Sequence, residues 1–99
     1  MAVYHFGPDL NIRWITAGAT TLFGWTPDEI VQKGAMWFIH PDDVARSTQA
    51  LTELASRGAY DPFEVRIRCK DGSYKTVTAR GLGIFGDDAK LWGIVAALM

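Results

Sequence analysis

Ninety-nine residues make one domain, of a size that buries about two thirds of its unfolded surface without covalent staples. At 48% hydrophobic, 21% charged and 12% aromatic the chain is neither disordered nor fibrous. Ten Lys+Arg against eleven Asp+Glu, with no basic run, give no electrostatic footprint for a nucleic-acid backbone, and the single cysteine, Cys69, excludes an internal disulfide framework and a four-cysteine zinc site.

Met1-Ala2-Val3-Tyr4 has no basic segment ahead of an apolar one, and Ala2 is not the glycine that myristoylation requires. The longest apolar stretch, Leu91 to Met99, is too short to span a bilayer. The expectation is therefore a soluble, reduced, cytoplasmic domain with no membrane contact. Val3 to Phe6 and Ile12 to Thr16 are β-rich runs separated by the turn chemistry of Gly7-Pro8-Asp9-Leu10-Asn11, and predict a hairpin. Thr16 is placed to cap a short helix through Phe23 that Gly24 closes. Thr26-Pro27-Asp28-Glu29 is a capping box with Pro at the first helical position, worth about 1 kcal/mol, and Gly34 terminates the helix it opens. A third helix is predicted from about Pro41 to Arg57. Val44, Leu51, Leu54 and Ala55 lie on its apolar stripe together with Thr48, and Arg46, Glu53 and Arg57 on the other face. Glu53 and Arg57 stand four apart in the favourable order, and Gly58 ends the helix.

The period then changes from 3.6 to 2. Phe63, Val65, Ile67 and Cys69 alternate with Glu64, Arg66, Arg68 and Lys70 as a half-buried strand, and Asp71-Gly72 is a strong hairpin signal. The return strand puts Lys75, Val77, Ala79, Gly81 and Gly83 on one face and Tyr74, Thr76, Thr78, Arg80 and Leu82 on the other. After the turn Gly86-Asp87-Asp88-Ala89, Leu91 to Leu98 forms a last strand that is apolar on both faces, which predicts a central position covered on both sides. Two strands, three helices and three strands make an α+β domain: five antiparallel strands with helices on one face.

Leu22-Phe23-Gly24-Trp25-Thr26-Pro27-Asp28-Glu29-Ile30, Ile39-His40-Pro41-Asp42-Asp43 and Arg66-Ile67-Arg68-Cys69-Lys70-Asp71-Gly72-Ser73-Tyr74, in this order ahead of Gly93-Ile94-Val95, resemble a PAS domain of the PAS/PAC sensory-box kind over nearly the whole chain. The resemblance implies the PAS fold, with sheet order 2-1-5-4-3. It also implies a sensory or dimerising module ahead of a histidine kinase, diguanylate cyclase or transcription regulator, as in two-component signal transduction. The Asp-Ile-Thr-like triplet that often follows the last strand in that family is not present, no flanking helix precedes the first strand, and Thr16 stands where many relatives have Asn. The expectation is one PAS domain over residues 1–99, excised from a larger signalling protein.

No catalysis is expected. Asp42-Asp43 falls in a helix's opening turn, where the macrodipole favours anions, and Asp87-Asp88 in a hairpin turn. A flavin photoreceptor of this family would carry a reactive cysteine after the second helix, where Lys33-Gly34-Ala35-Met36-Trp37-Phe38 has none, and Cys69 reads as a small core residue. For haem, His40 reads as the cap that begins the Pro41-Asp42-Asp43 turn and His5 as a sheet-surface residue, so no metal or cofactor is expected. The resemblance implies a Glu29–Lys70 ion pair clamping helix to sheet, against the alternative of two exposed charges.

Facing the helices are placed Phe23, Ile30, Met36, Trp37, Phe38, Val44, Leu51, Val65, Ile67, Val77, Ala79, Ile94 and Ala96. Such a set is either a filled core with at most a small void or the lining of a site for a small apolar or aromatic ligand, since it holds no charge. Trp14, Tyr74 and Trp92 are placed on the outer sheet face, where an uncovered apolar surface marks a homodimer interface. The two readings, ligand sensor and pure dimerisation or relay module, are compatible but use opposite faces.

Overall fold

The computed structural model describes residues 1–9 and 11–99; Leu10, in the first expected turn, lies outside them. The described residues form one antiparallel sheet of order β2-β1-β5-β4-β3, built from β1 (Ala2–Phe6), β2 (Ile12–Ile15), β3 (Phe63–Arg68), β4 (Tyr74–Phe85) and β5 (Leu91–Leu98). Between β2 and β3 run α1 (Gly18–Phe23), α2 (Pro27–Lys33), 3-10 turns at Ala35–Phe38 and Pro41–Asp43, and α3 (Val44–Arg57). The apolar strand β5 is central, bonded to β1 and to β4, as its composition requires. It is not covered on both sides, however: Val95 and Ala97 are only half-buried and Trp92 is exposed.

The punctuation works where it is local. Glu29 N donates to Thr26 Oγ1 and Thr26 N to Glu29 Oε1, closing the capping box of α2. Gly24 and Gly58 end α1 and α3 at φ 85° and 79°, a conformation cheap only for glycine. Four expectations are corrected. Thr16 does not cap α1, whose N-cap is Ala17; its hydroxyl instead accepts from Val3 N (3.0 Å) and fastens β1 to the end of β2. Pro41–Asp43 is a separate 3-10 turn, opened by His40, whose Nδ1 accepts from Asp42 N, so α3 starts only at Val44. The buried stripe of α3 is Ser47, Ala50 and Leu54 with Leu51 half-buried, while Thr48 and Ala55 are exposed. Glu53 and Arg57 do not pair with each other: Glu53 faces Arg46 (3.9 Å) and Arg57 faces Asp61 (4.0 Å).

Candidate functional site

Between the sheet and the helices lies a cavity of about 140 Å³. Tyr4 and Phe6 of β1, Val65 and Ile67 of β3, Ala79 of β4 and Ile94, Ala96 and Leu98 of β5 form its sheet wall, with Phe63 at the start of β3. Ile30 of α2, Met36, Phe38 and Ile39, and Ser47, Ala50, Leu51 and Leu54 of α3 form the opposite wall, with Tyr60 from the loop before β3. None of these residues is charged. The space follows from side-chain volume: Ala79 and Ala96 on the sheet stand opposite helical residues that include Ser47 and Ala50, and small residues on both walls leave a gap that close packing would otherwise fill.

Of the residues placed toward the helices from sequence, Ile30, Met36, Phe38, Leu51, Val65, Ile67, Ala79, Ile94 and Ala96 line this cavity. The other four do not. Phe23 is buried away from it, beside Gly24 and Cys69, Val77 is buried without reaching it, and Val44 is half-buried at the first residue of α3. Trp37 turns outward: it meets Trp25 and Phe38 edge-on, and Lys33 and Arg68 lie over its ring at 4.6 and 4.4 Å. Strand alternation did not reveal Tyr60. A Cβ on Gly81 would fall 2.5–2.8 Å from Tyr60 ring and hydroxyl atoms, so the tyrosine occupies one half of the low-volume stripe on β4 and Ala79 leaves the other half open. Burial pushes the Tyr60 phenol up to about 12 and raises that of Tyr4, so both are neutral near pH 7.

Two polar ties fix the helices on the sheet. Lys70 Nζ stands 2.9 Å from Glu29 Oε1, the oxygen that also accepts from Thr26 N. Those partners, Thr26 N–H first and Lys70 second, hold the Glu29 carboxyl below its ordinary range. Beside it Lys70 N donates to Phe23 O, Trp25 Nε1 to Arg68 O and Lys75 Nζ to Leu22 O, each within 2.9 Å. The second tie was read from sequence only as an anion in a helical turn. Asp43 makes no side-chain cap on α3; its carboxylate accepts from Arg66 N, Nε and Nη2 at 2.8, 3.0 and 2.8 Å, and joins the start of α3 to β3. The Arg66 side chain beside it holds the Asp43 carboxyl down at about 2, below its ordinary 3.8. A depressed folded value stabilises above the unfolded pKa, and that contribution disappears as pH falls through about 2. With Arg66 40% exposed to solvent, we expect only about 1 kcal/mol from it. Thermal melts between about pH 7 and pH 2 should show Asp43→Asn already about 5 °C lower at neutral pH, with the gap to the parent closing in acid.

The outer face of the sheet carries a different cluster. Cross-strand register aligns Leu82, Val95, His5 and Trp14 in one row across four strands. His5 is a surface residue of the sheet but not of the molecule: only 6% exposed, it lies between the rings of Trp14 and Trp92, each 5.6 Å away. Strict alternation would send Trp92 inward with Ile94 and Ala96. The register slip between Ile84 and Phe85, opposite Gly93 and Leu91, lets its ring lie by His5 under the Arg13 guanidinium instead. Trp14 and Trp92 remain 49% and 55% exposed. Tyr74 is not part of this cluster; it pairs with Arg68 at the β3 side of the sheet and packs on His40 at 4.7 Å.

Among the described residues no group of three or more His, Cys, Asp or Glu side chains is gathered for a metal, and no helix is long and apolar enough to cross a membrane. No curated protein matches the sequence. Among solved structures, the chain is similar to the PAS-B domain of Drosophila melanogaster Cycle with bound ethylene glycol, at 19% identity and TM-score 0.86 over 100% of this chain and 98% of that one. It is also similar to the N-terminal domain of a diguanylate cyclase with PAS/PAC sensor from Marinobacter aquaeolei (14%, 0.84, 100% and 94%) and to a sensory box histidine kinase/response regulator from Burkholderia thailandensis (24%, 0.78, 99% and 74%). At such identities the likeness speaks for the fold. The sequence profile of the PAS fold matches residues 11–98, and with the observed strand order it decides the matter: the chain belongs to the PAS family of sensory and regulatory domains.

Proposed function

We propose that this domain is the sensory module of a multidomain signalling protein and that its cavity takes up a small apolar or aromatic molecule. The cavity between sheet and helices carries the reading: about 140 Å³, lined without a single charge, it matches the volume in which an apolar protein cavity accommodates benzene. Occupancy changes how α2 and α3 pack on the sheet. Strand β5, which lines the cavity with Ile94, Ala96 and Leu98 and bonds to both halves of the sheet, passes that change to an effector domain. A histidine kinase, diguanylate cyclase or transcription regulator is the kind of effector in question, and the similar domains from a histidine kinase/response regulator and a diguanylate cyclase support it.

A second reading is favoured by one observation, the exposed Trp14 and Trp92 beside the outer row of Leu82, Val95 and His5: self-association of two copies through the outer sheet face. One experiment addresses both. Methyl NMR spectra recorded during a toluene titration should show saturable shifts at Ala79, Ile94 and Ala96, and a native mass spectrum of the same sample reports the number of chains. Methyl signals that never move would overturn the ligand reading; a spectrum of single chains at tens of micromolar would overturn the dimer.

A further inference from the structure

We propose that the cavity's ligand is a neutral, single-ring carbonyl compound and that the Tyr60 hydroxyl donates a hydrogen bond to its carbonyl oxygen; the proposal rests on the cavity being a ligand site. Cross-strand register puts Gly81, Ala96 and Tyr4 in one inward row on β4, β5 and β1. Tyr60 extends that row on the β3 side, because its neighbour Ala59 bridges to Leu82. From there its side chain crosses β4. The atoms nearest to where a Cβ on Gly81 would stand are Cε1, Oη and Cζ of Tyr60, the far end of the ring. The hydroxyl therefore leads toward Ala96, the next residue of the row, whose small side chain leaves the space above it to the cavity.

That hydroxyl is unpaired and reachable. It makes no hydrogen bond among the described residues, and unlike Ser47 Oγ it is not sealed from accessible space. Tyrosine and tryptophan polar atoms within a fold ordinarily find a partner, as Trp25 Nε1 does at 2.8 Å from Arg68 O. Arg46 decides which partner suits Tyr60. Its positive charge favours the phenolate and pulls against burial, which makes the neutral phenol a stronger donor. Tyr4, the other phenol on the wall, has no such help: burial alone shifts it, and its ring stacks on Phe6. Arg46 does not itself line the cavity and faces Glu53 at 3.9 Å, so it offers no counter-charge to an ionised ligand. A neutral acceptor fits, and a carbonyl oxygen is one. A void of about 140 Å³ accepts about six to eight non-hydrogen atoms, a single ring with one substituent.

The test compares cyclohexanone with methylenecyclohexane, which differ only in C=O against C=CH2. Both are titrated into the parent, Tyr60→Phe and Tyr4→Phe, with affinities read from the methyl shifts of Ala79 and Ile94. Phenylalanine keeps the ring over Gly81 and gives up no hydrogen bond among the described residues, so Tyr60→Phe should melt close to the parent. The expected result is that the ratio of cyclohexanone to methylenecyclohexane affinity falls about five- to tenfold in Tyr60→Phe, the worth of one hydrogen bond. In Tyr4→Phe the ratio should stay within about twofold of the parent. A ratio unchanged in Tyr60→Phe, or one that falls only in Tyr4→Phe, overturns the Tyr60 assignment and leaves the cavity as a ligand site. A parent that binds methylenecyclohexane alone overturns the carbonyl class. Failure of both probes to bind the parent overturns the cavity reading itself, and the proposal with it.

Discussion

Leu54→Ala is expected to lower the melting temperature by about 15 °C, the largest effect of any single substitution considered for this domain. Leu54 is wholly buried, on the face of α3 that meets the sheet, and lines a cavity that already exists. Removing its isopropyl group costs the transfer free energy and enlarges the void, about 3 kcal/mol together. In a domain of about 100 residues each kcal/mol moves the midpoint by about 4–8 °C. The same substitution should let the cavity accept a bicyclic probe such as indole, which the parent rejects on size. A drop of less than about 5 °C by calorimetry would mean that α3 settles onto the sheet and closes the space.

Ala79→Phe should abolish toluene binding, reducing it more than a hundredfold, while moving the melting temperature by only a few degrees. Ala79 is buried on β4 and its side chain faces the void, so a phenyl group placed there occupies the volume a benzene-sized ligand would take. Val77→Phe is the control. Val77 stands two residues earlier on the same face of β4 but does not line the cavity, so a ring there overpacks a filled region and costs about 1–3 kcal/mol without blocking the ligand. Titrating toluene into both variants, with melts recorded alongside, separates the two effects. If Val77→Phe blocks binding and Ala79→Phe does not, the cavity is misplaced.

The contrast between these neighbouring residues shows how far the sequence could be read. Val77 and Ala79 share a face by the two-residue period of a strand, and nothing in that period says that only Ala79 meets empty space. Tyr60 bounds that space beyond Ala79 by filling the room over Gly81, and it reaches that place from an irregular loop with no periodicity to read. Trp37 belongs by its apolar character with the residues facing the helices, but Trp25, Lys33 and Arg68 provide it a surface niche. Trp92 needs a register slip to reach the outer face, which depends on how β4 and β5 align.

What the sequence determined by itself was whatever depends on residues close together in the chain: the strand periods, the capping box at Thr26, the glycine stops at Gly24, Gly34 and Gly58, and the Asp71-Gly72 turn. It also determined the central place of β5, because a strand apolar on both faces is unfavourable at a solvated edge. The tertiary structure alone decided which polar groups spend their hydrogen bonds across the fold. Thr16 reaches Val3 rather than its own helix, Asp43 reaches Arg66 twenty-three residues away, and the Ser47 hydroxyl finds no partner among the described residues. A cap and a cross-chain partner compete for the same oxygen at similar energy, so the outcome rests on which donor the packed fold brings within 3 Å. A cavity is likewise the volume left over when all side chains have been placed, and no local pattern encodes a remainder.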